Sequence, residues 1–229
     1  MAPSPKAIGS AIDLGAYSVP EAAHHLRLPL STVRSWVTGR PYATTTGPRR
    51  FQPLIQVANR KAGLLSFRNL VELHVLSAVR REHLLRLDAV RKAIGYLQQH
   101  LAVDHPLADQ QMVTDGTDLF VERYGMLINA SREGQVAMRA VLADYLTRIE
   151  RDASGLAIRL YPFSGRPKAK VIVLDPRVKF GRPCIAGTGI ATDVIFERFN
   201  AGDAIEDIAR DYGRQAREIE EAVRFEKAA

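Results

Sequence analysis

The sequence predicts an α+β protein that is mainly helical, with a helix-turn-helix and hairpin first, a strand-rich middle block next and a three-helix unit last. Three observations predict this order. Residues 17–40 carry two short runs of helical periodicity, residues 111–131 alternate strand-like runs with turn dipeptides, and residues 192–225 carry three helical runs separated by glycines. We therefore predict four domains, at 1–62, 63–105, 106–165 and 166–229.

The composition is typical of a soluble globular protein, with 46% hydrophobic and 25% charged residues among 229. The sequence contains no 18-residue apolar run and no basic-then-apolar leader, so we expect no membrane span and no secretion. Its single cysteine, Cys184, cannot form an internal disulfide. These features predict a cytoplasmic protein.

Side chains that carry chemistry do not form a recognisable catalytic set, so we expect no enzymatic activity and no cofactor. The six histidines show neither a His-Glu-x-x-His spacing nor a cysteine partner, and we therefore predict no metal site.

Charge is distributed unevenly along the chain. Residues 1–100 contain 14 Lys and Arg against 5 Asp and Glu, whereas residues 101–229 contain 18 against 20. Between Glu21 and Glu72 there are eight basic residues and no acidic one. Such a field suits a polyanion and favours nucleic acid, with a solvated basic face as the alternative.

Helix signals define two short helices in "YSVPEAAHHLRLPLSTVRSWVTGR", residues 17–40. Ser18 and Glu21 have the spacing of a capping box, and Pro20 falls in the first turn, where it costs no hydrogen bond. After a break at "RLP", apolar residues repeat at helical spacing until Gly39 stops the second helix. This predicts a helix-turn-helix in which Trp36 belongs to the core rather than stacking on a base.

The second helix of such a motif lies in the major groove, so its outward residues should be polar. The following segment, "PYATTTGPRRFQPLIQV", has β-branched and aromatic residues on both sides of "GPRR" and predicts a hairpin with two arginines at its tip, against the phosphate backbone. The residues predicted to contact DNA are Ser31, Thr32, Arg34, Ser35, Arg40, Arg49 and Arg50.

This front segment, residues 16–60, resembles the winged helix-turn-helix of MerR-type proteins, although Pro29 falls where that family usually has a Ser or Asp cap. In that family the helices after the wing brace it and lead to a dimer interface. The resemblance therefore implies bracing helices and a homodimer at residues 63–105, where two helical patterns occur; packing within one protomer explains those patterns equally well.

The middle block contains "QMVTDGTDLFVERYGMLINAS", in which Asp115 and Gly116 form a turn dipeptide and residues 119–121 and 126–128 are strand-like. We predict a β-meander here, followed by a helix at residues 134–152 and strands in "GLAIRLYPF" and "KVIVLD". The segment "SGRPKA" is the predicted linker. Carboxylates at Asp115, Asp118 and Glu122 are interpreted as caps or solvated groups rather than ligands of a divalent ion.

The stretch "FGRPCIAGTGIATDVIFERF", residues 180–199, contains no lysine at the P-loop position and lacks the third glycine of a dinucleotide fingerprint. Cys184 has no histidine near it in sequence to act as a base. We interpret the stretch as turns before a homeodomain-like unit of three helices. Thr192 or Asp193 is predicted to cap the first helix, and Asp203 with Glu206 the second.

This stretch, with the two helical runs that follow it, resembles an antitoxin-associated domain with the pattern Gly-x-Pro-x-Ile-x-Gly-Thr-Arg-Ile, and only Gly189 departs from that pattern, replacing Arg. Together with the MerR-like front, the whole order resembles a VapB-type antitoxin of a type II toxin-antitoxin system. The resemblance implies a PIN-like ribonuclease toxin as partner and repression at promoter DNA. The residues predicted to contact the toxin's carboxylates are Arg177 and Arg182, on the loop before the three-helix unit.

A second hypothesis stays open from the sequence. The protein could instead be a MerR-like transcriptional regulator whose C-terminal domain senses a ligand or a protein. Such a regulator would have the same basic N-terminal segment and the same helical C-terminal segment. The identity of the neighbouring gene distinguishes the two, because an antitoxin lies beside its toxin.

Overall fold

The computed structural model describes residues 11–44, 47–82, 86–163 and 170–227, and it is an α+β fold that is mostly helical with three small antiparallel strand pairs. The linker predicted at residues 164–169 lies outside the described residues, and the four domain boundaries stay predictions. The helices are α1 Val19–Leu26, α2 Leu30–Thr38, α3 Phe67–Glu82, α4 Leu87–Leu101, α5 Asp115–Ile128, α6 Arg132–Leu146, α7 Thr192–Asn200, α8 Ile205–Tyr212 and α9 Ala216–Lys227. The strands are β1 Arg40–Thr44, β2 Gly47–Phe51, β3 Ile149–Arg151, β4 Ala157–Leu160, β5 Ile172–Val173 and β6 Cys184–Ile185.

Local signals set the ends of the first two helices. The predicted capping box is confirmed, because the Ser18 side chain accepts from the Glu21 backbone N–H and the Glu21 carboxylate accepts from the Ser18 N–H at 2.7 Å. Arg27 ends α1 in the left-handed conformation, with φ 53°. Helix α2 begins after Pro29, which supplies no side-chain cap, and ends at Gly39 as predicted.

The predicted hairpin forms from β1 and β2, but the two arginines do not lie at its tip. Arg49 pairs with Tyr42 and Arg50 pairs with Pro41 across the antiparallel ladder. Thr44 pairs with Gly47, and the segment "GPRR" lies within β2 rather than at the tip of the hairpin.

A first cluster of buried side chains surrounds α3, whose residues from 70 to 79 are all buried. Helix α6 packs on α3, and α4, α5 and α6 pack on one another in sequence order. This cluster extends from the N-terminal helices to β4, so the basic front and the middle block share one core.

The predicted meander at residues 115–128 is wrong, because this segment is the single helix α5. Phe120, Val121 and Tyr124 bury one helical face against the core. Asp115 and Asp118 lie in the first turn, where carboxylates interact favourably with the helix dipole, and Asn129 ends the helix in the left-handed conformation. Short apolar runs such as residues 119–121 and 126–128 fit a strand or a helix, and packing decides between them.

Two further boundaries differ from the sequence prediction. Helix α6 ends at Leu146 rather than near residue 152, and Ile149 begins β3, which pairs with β4. A bridge between Leu160 and Leu174 then carries the chain toward β5, which pairs with β6.

The C-terminal helices α7, α8 and α9 enclose a second cluster of buried residues. Their predicted caps are wrong: Ala191 precedes α7 and Ala204 precedes α8, and neither gives a side-chain cap. Asp203 instead accepts a hydrogen bond from Arg198 Nε at 2.6 Å. Gly213 ends α8 as predicted, with φ 60°.

Among the described residues, we find no helix with the length and apolar character needed to cross a bilayer.

Candidate functional site

A groove of about 490 Å³ lies along the outward face of α2. Five of the seven residues predicted to contact DNA line this groove. Four of them come from α2, and the fifth, Arg40, comes from the start of β1. The groove is lined by Ser31, Thr32, Arg34, Ser35, Arg40 and Arg80, among others. The structure therefore brings together five of the residues that the sequence singled out.

Helix α2 presents this face because its other face is fixed in the core. Val33, Trp36 and Val37 are buried, Trp36 with only 1% of its surface exposed, which confirms the core role predicted for it. Arg34 is exposed on the opposite side. A reading helix needs this arrangement, since side chains that reach base edges have to point away from the protein.

The hairpin is held against the end of α2 by specific contacts. The Arg50 guanidinium donates to the Thr38 carbonyl at 3.1 Å, so this arginine braces the hairpin as well as facing solvent. Gly39 has φ +73°, and a Cβ there would overlap the Phe51 carbonyl, so the close approach requires glycine. From α4, Arg91 stacks over the Phe51 ring, 4.4 Å from its centroid. The side chain of Arg49 lies outside the described part.

Arg80 is the groove residue that the sequence analysis missed. It follows the buried residues 70–79 of α3, is exposed, and faces the same groove as Arg34. Its place beside α2 depends on how α3 packs. The basic surplus of residues 1–100 was the only sequence signal that included it.

On the C-terminal loop, both arginines predicted to contact a toxin are engaged within the chain. Arg177 binds Asp175 through two hydrogen bonds, of 2.8 and 2.6 Å. Burial opposes ionisation of Asp175, but the hydrogen bonds from Arg177 and Arg159 outweigh it and lower the pKa of this carboxyl. Arg182 forms an ion pair with Asp193. The structure therefore pairs each of these two arginines with a carboxylate of the C-terminal unit itself, Arg177 with Asp175 and Arg182 with Asp193.

The remaining candidate chemical groups are structural in this fold. Cys184 is buried, and burial raises the pKa of its thiol, which disfavours the nucleophilic thiolate. Asp118 pairs with Arg139 at 2.5 Å. Within the described ranges, no three His, Cys, Asp or Glu side chains lie close enough together to hold a metal ion.

The two ends of the chain meet beside α1. His24 Nε2 donates to Glu226 at 2.9 Å, and the guanidinium of Arg27 lies 5.4 Å from the centroid of the Phe225 ring. Next to them, burial and the neighbouring His24 lower the pKa of His25 to about 4. The end of α9 is therefore packed on the first helix of the basic front.

Residues 172–225, which form the C-terminal unit, match the family described as "Protein of unknown function (DUF433)". Over most of its length the chain is similar to "Putative antitoxin VapB45" of Mycobacterium tuberculosis, with 27% identity covering 92% of this chain and 93% of that protein. It is also similar to "Uncharacterized protein Rv2308" of the same organism, with 24% identity covering 96% of this chain and 93% of that protein. The crystal structure of Rv2018 from M. tuberculosis has the same fold, with a TM-score of 0.67 and 23% identity over 93% of this chain and 99% of that one.

Proposed function

We propose that this protein is an antitoxin that binds and neutralises a cognate PIN-like ribonuclease toxin and represses its own operon by binding promoter DNA. The observation that carries this proposal is the similarity, over 92% of the chain, to the protein named "Putative antitoxin VapB45". The exposed basic groove on α2 supports the DNA-binding part independently.

In this proposal α1 and α2 form a helix-turn-helix, and β1 and β2 form its wing. Ser31, Thr32 and Arg34 reach the major groove, while Arg40, Arg49, Arg50 and Arg80 contact phosphates. Ser35, which the sequence placed with the first group, has a buried hydroxyl oxygen and does not reach a base. The protein binds as a homodimer, because two reading helices separated by one turn of DNA multiply specificity at a pseudo-palindromic site. Affinity falls steeply with salt as phosphate contacts release counterions.

The C-terminal unit is the proposed toxin-binding part. Its helix α8 carries Glu206, Asp207 and Asp211, which would repel phosphate and suit protein contacts better than DNA. An arginine that occupies the carboxylate cluster of a metal-dependent nuclease would block its active site. Arg182 can do this if it leaves Asp193 and pairs with a carboxylate of the toxin. The protein itself acts in the cytoplasm without catalysis.

The test is growth of cells that express the adjacent reading frame with and without this chain supplied from a second promoter. We expect arrest that this chain relieves, together with co-purification of the two proteins. Arrest that this chain does not relieve would contradict the antitoxin role. An upstream DNA fragment that binds no better than a scrambled one would contradict repression.

The DNA-binding part has a matched control in the chain. Arg34→Ala removes the guanidinium that faces the groove, whereas Arg210→Ala removes an exposed arginine of the C-terminal unit that pairs only with Asp207 at 2.6 Å among the described residues. Only the first substitution should weaken binding to the upstream fragment.

A further inference from the structure

Phe180 is the most exposed large hydrophobic side chain in the described part of the chain, with 89% of its surface accessible, against 64% for Leu14, the next. It lies in the loop between β5 and β6, within the matched C-terminal unit. Single exposed apolar residues are common on protein surfaces, so exposure alone does not indicate a partner.

The backbone of this loop is in an unfavourable conformation. Lys179, Phe180 and Gly181 follow one another with φ values of 48°, 56° and 82°, all in the left-handed region. Glycine adopts this region freely, but Lys and Phe lose free energy there. A Phe at such a position gives the fold no buried surface in return, so folding stability does not account for it.

Several hydrogen bonds hold the loop in this conformation. The Gly181 N–H donates to the Val178 carbonyl at 2.9 Å, and the Arg182 N–H donates to the Lys179 carbonyl at 3.2 Å. The Tyr17 hydroxyl donates to the Gly181 carbonyl at 3.1 Å, which ties the loop to the residue just before α1. The backbone that carries the Phe180 ring is therefore fixed, so binding through this ring orders little additional backbone.

The charges around the ring indicate what it would bind. Lys179 is exposed beside Phe180. Arg182, two residues after Phe180, has a side chain that is 55% exposed although it pairs with Asp193. A partner surface should thus offer an apolar pocket for the ring and carboxylates at the rim of that pocket. A protein surface has both features, whereas the base faces of duplex DNA are already stacked on one another and its phosphates offer the ring no apolar pocket.

We propose that Phe180 is the anchor of a protein-docking surface and inserts into an apolar, carboxylate-rimmed pocket of the cognate toxin. This inference rests on the proposed antitoxin function and assigns the main contact to Phe180, with Lys179 and Arg182 at the rim.

The test compares Phe180→Asn with Val136→Asn. Asparagine tolerates the left-handed conformation, so Phe180→Asn keeps or raises the unfolding midpoint in urea while it removes the ring. Val136 is 59% exposed on α6, and its substitution makes the same apolar-to-amide change away from the loop. The purified product of the adjacent reading frame serves as the binding partner.

The expected result is that Phe180→Asn weakens binding of that product about 30-fold or more, the effect of an anchor residue, while Val136→Asn changes it less than about 3-fold. Binding of upstream DNA stays unchanged in both. Two outcomes would overturn this inference and leave the antitoxin function standing. In the first, wild type and Phe180→Asn bind the product with equal affinity. In the second, Phe180→Asn no longer self-associates but still binds the product. Failure of the wild type to bind the product would overturn the antitoxin function and this inference together.

Discussion

The hydroxyl of Tyr17 donates a hydrogen bond of 3.1 Å to the carbonyl of Gly181, 164 positions further along the chain. Tyr17 is 4% exposed and immediately precedes the cap of α1. Gly181 closes the strained loop of the C-terminal unit. The bond therefore joins the start of the proposed DNA-binding module to the proposed toxin-binding loop, and it supplies the buried hydroxyl with an acceptor.

Gly181→Ala should destabilise the protein more than Gly187→Ala. Both glycines have positive φ, of 82° and 75°, so both substitutions incur the left-handed penalty of about 1 kcal/mol. A Cβ at 181 would overlap the Tyr17 hydroxyl, whereas a Cβ at 187 meets nothing within 4 Å. We expect Gly181→Ala to cost about 2 kcal/mol more, measured by urea unfolding. Equal losses of unfolding free energy for the two variants would show that the Tyr17 side chain moves aside at no cost in stability.

Stability should fall as pH decreases from 6.5 to 4 because two buried histidines are neutral in the fold. Burial lowers the pKa of His74 to about 4, and burial with His24 lowers that of His25 to about 4. In the unfolded chain these histidines take up protons near pH 6.5. Between pH 6.5 and pH 4 the unfolded chain therefore binds more protons than the folded chain. We expect each histidine to account for a loss of about 2 kcal/mol by pH 4.5.

The variant His74→Gln tests this expectation. The glutamine amide can still donate to the Tyr145 carbonyl, which His74 Nε2 contacts at 3.0 Å, but it does not titrate. Its unfolding free energy should vary less between pH 7 and 4.5 than that of the wild type. The exposed His100→Gln is the control, and an unchanged slope for His74→Gln would contradict the prediction.

His105 should act in the opposite direction. Its Nδ1 donates to the buried Glu72 carboxylate at 3.0 Å, and this hydrogen bond raises its pKa. A raised pKa contributes stability that is fully present below the unfolded value, about 6.5, and is lost as pH rises through the folded value. We expect His105→Gln to lose about 2 kcal/mol at pH 6 and clearly less at pH 8.5, by urea unfolding. A loss independent of pH would mean that only packing is affected.

Arg34 and Arg49 should differ in how they affect DNA binding. Arg34 faces the groove from α2, so Arg34→Ala should cost about 1–3 kcal/mol on the upstream site and much less on random DNA. Arg49→Ala should weaken both alike and reduce the slope of log K against log salt by about 1. Fluorescence anisotropy titrations at several salt concentrations measure both effects. Equal losses for Arg34→Ala on the two DNAs would rule out base reading.

Local signals predicted the front of the fold and most of its groove. The capping box of Ser18 and Glu21 and the glycine stops at Gly39 and Gly213 depend on neighbours within a few residues, and all three are confirmed. The buried face of α2 followed from helical spacing, which also placed Arg34 outside. Periodicity failed at α5, because the short apolar runs 119–121 and 126–128 fit a strand as well as a helix, and burial of Phe120 and Tyr124 selected the helix.

The sequence by itself determined where the basic charge lies, how the first helices begin and end, and which face of α2 is polar, because each depends on residues adjacent in the chain. Only the tertiary structure decided that Arg80 joins the groove, that Asp175 and Asp193 engage Arg177 and Arg182, and that Tyr17 fixes the loop that exposes Phe180. The position of Arg80 arises from the packing of α3, and the Tyr17 contact arises from the packing of the C-terminal unit against the front, whereas the two arginine–aspartate pairs form within that unit. Packing depends on shape and burial across the whole chain, and a short stretch of sequence carries no local signal for it.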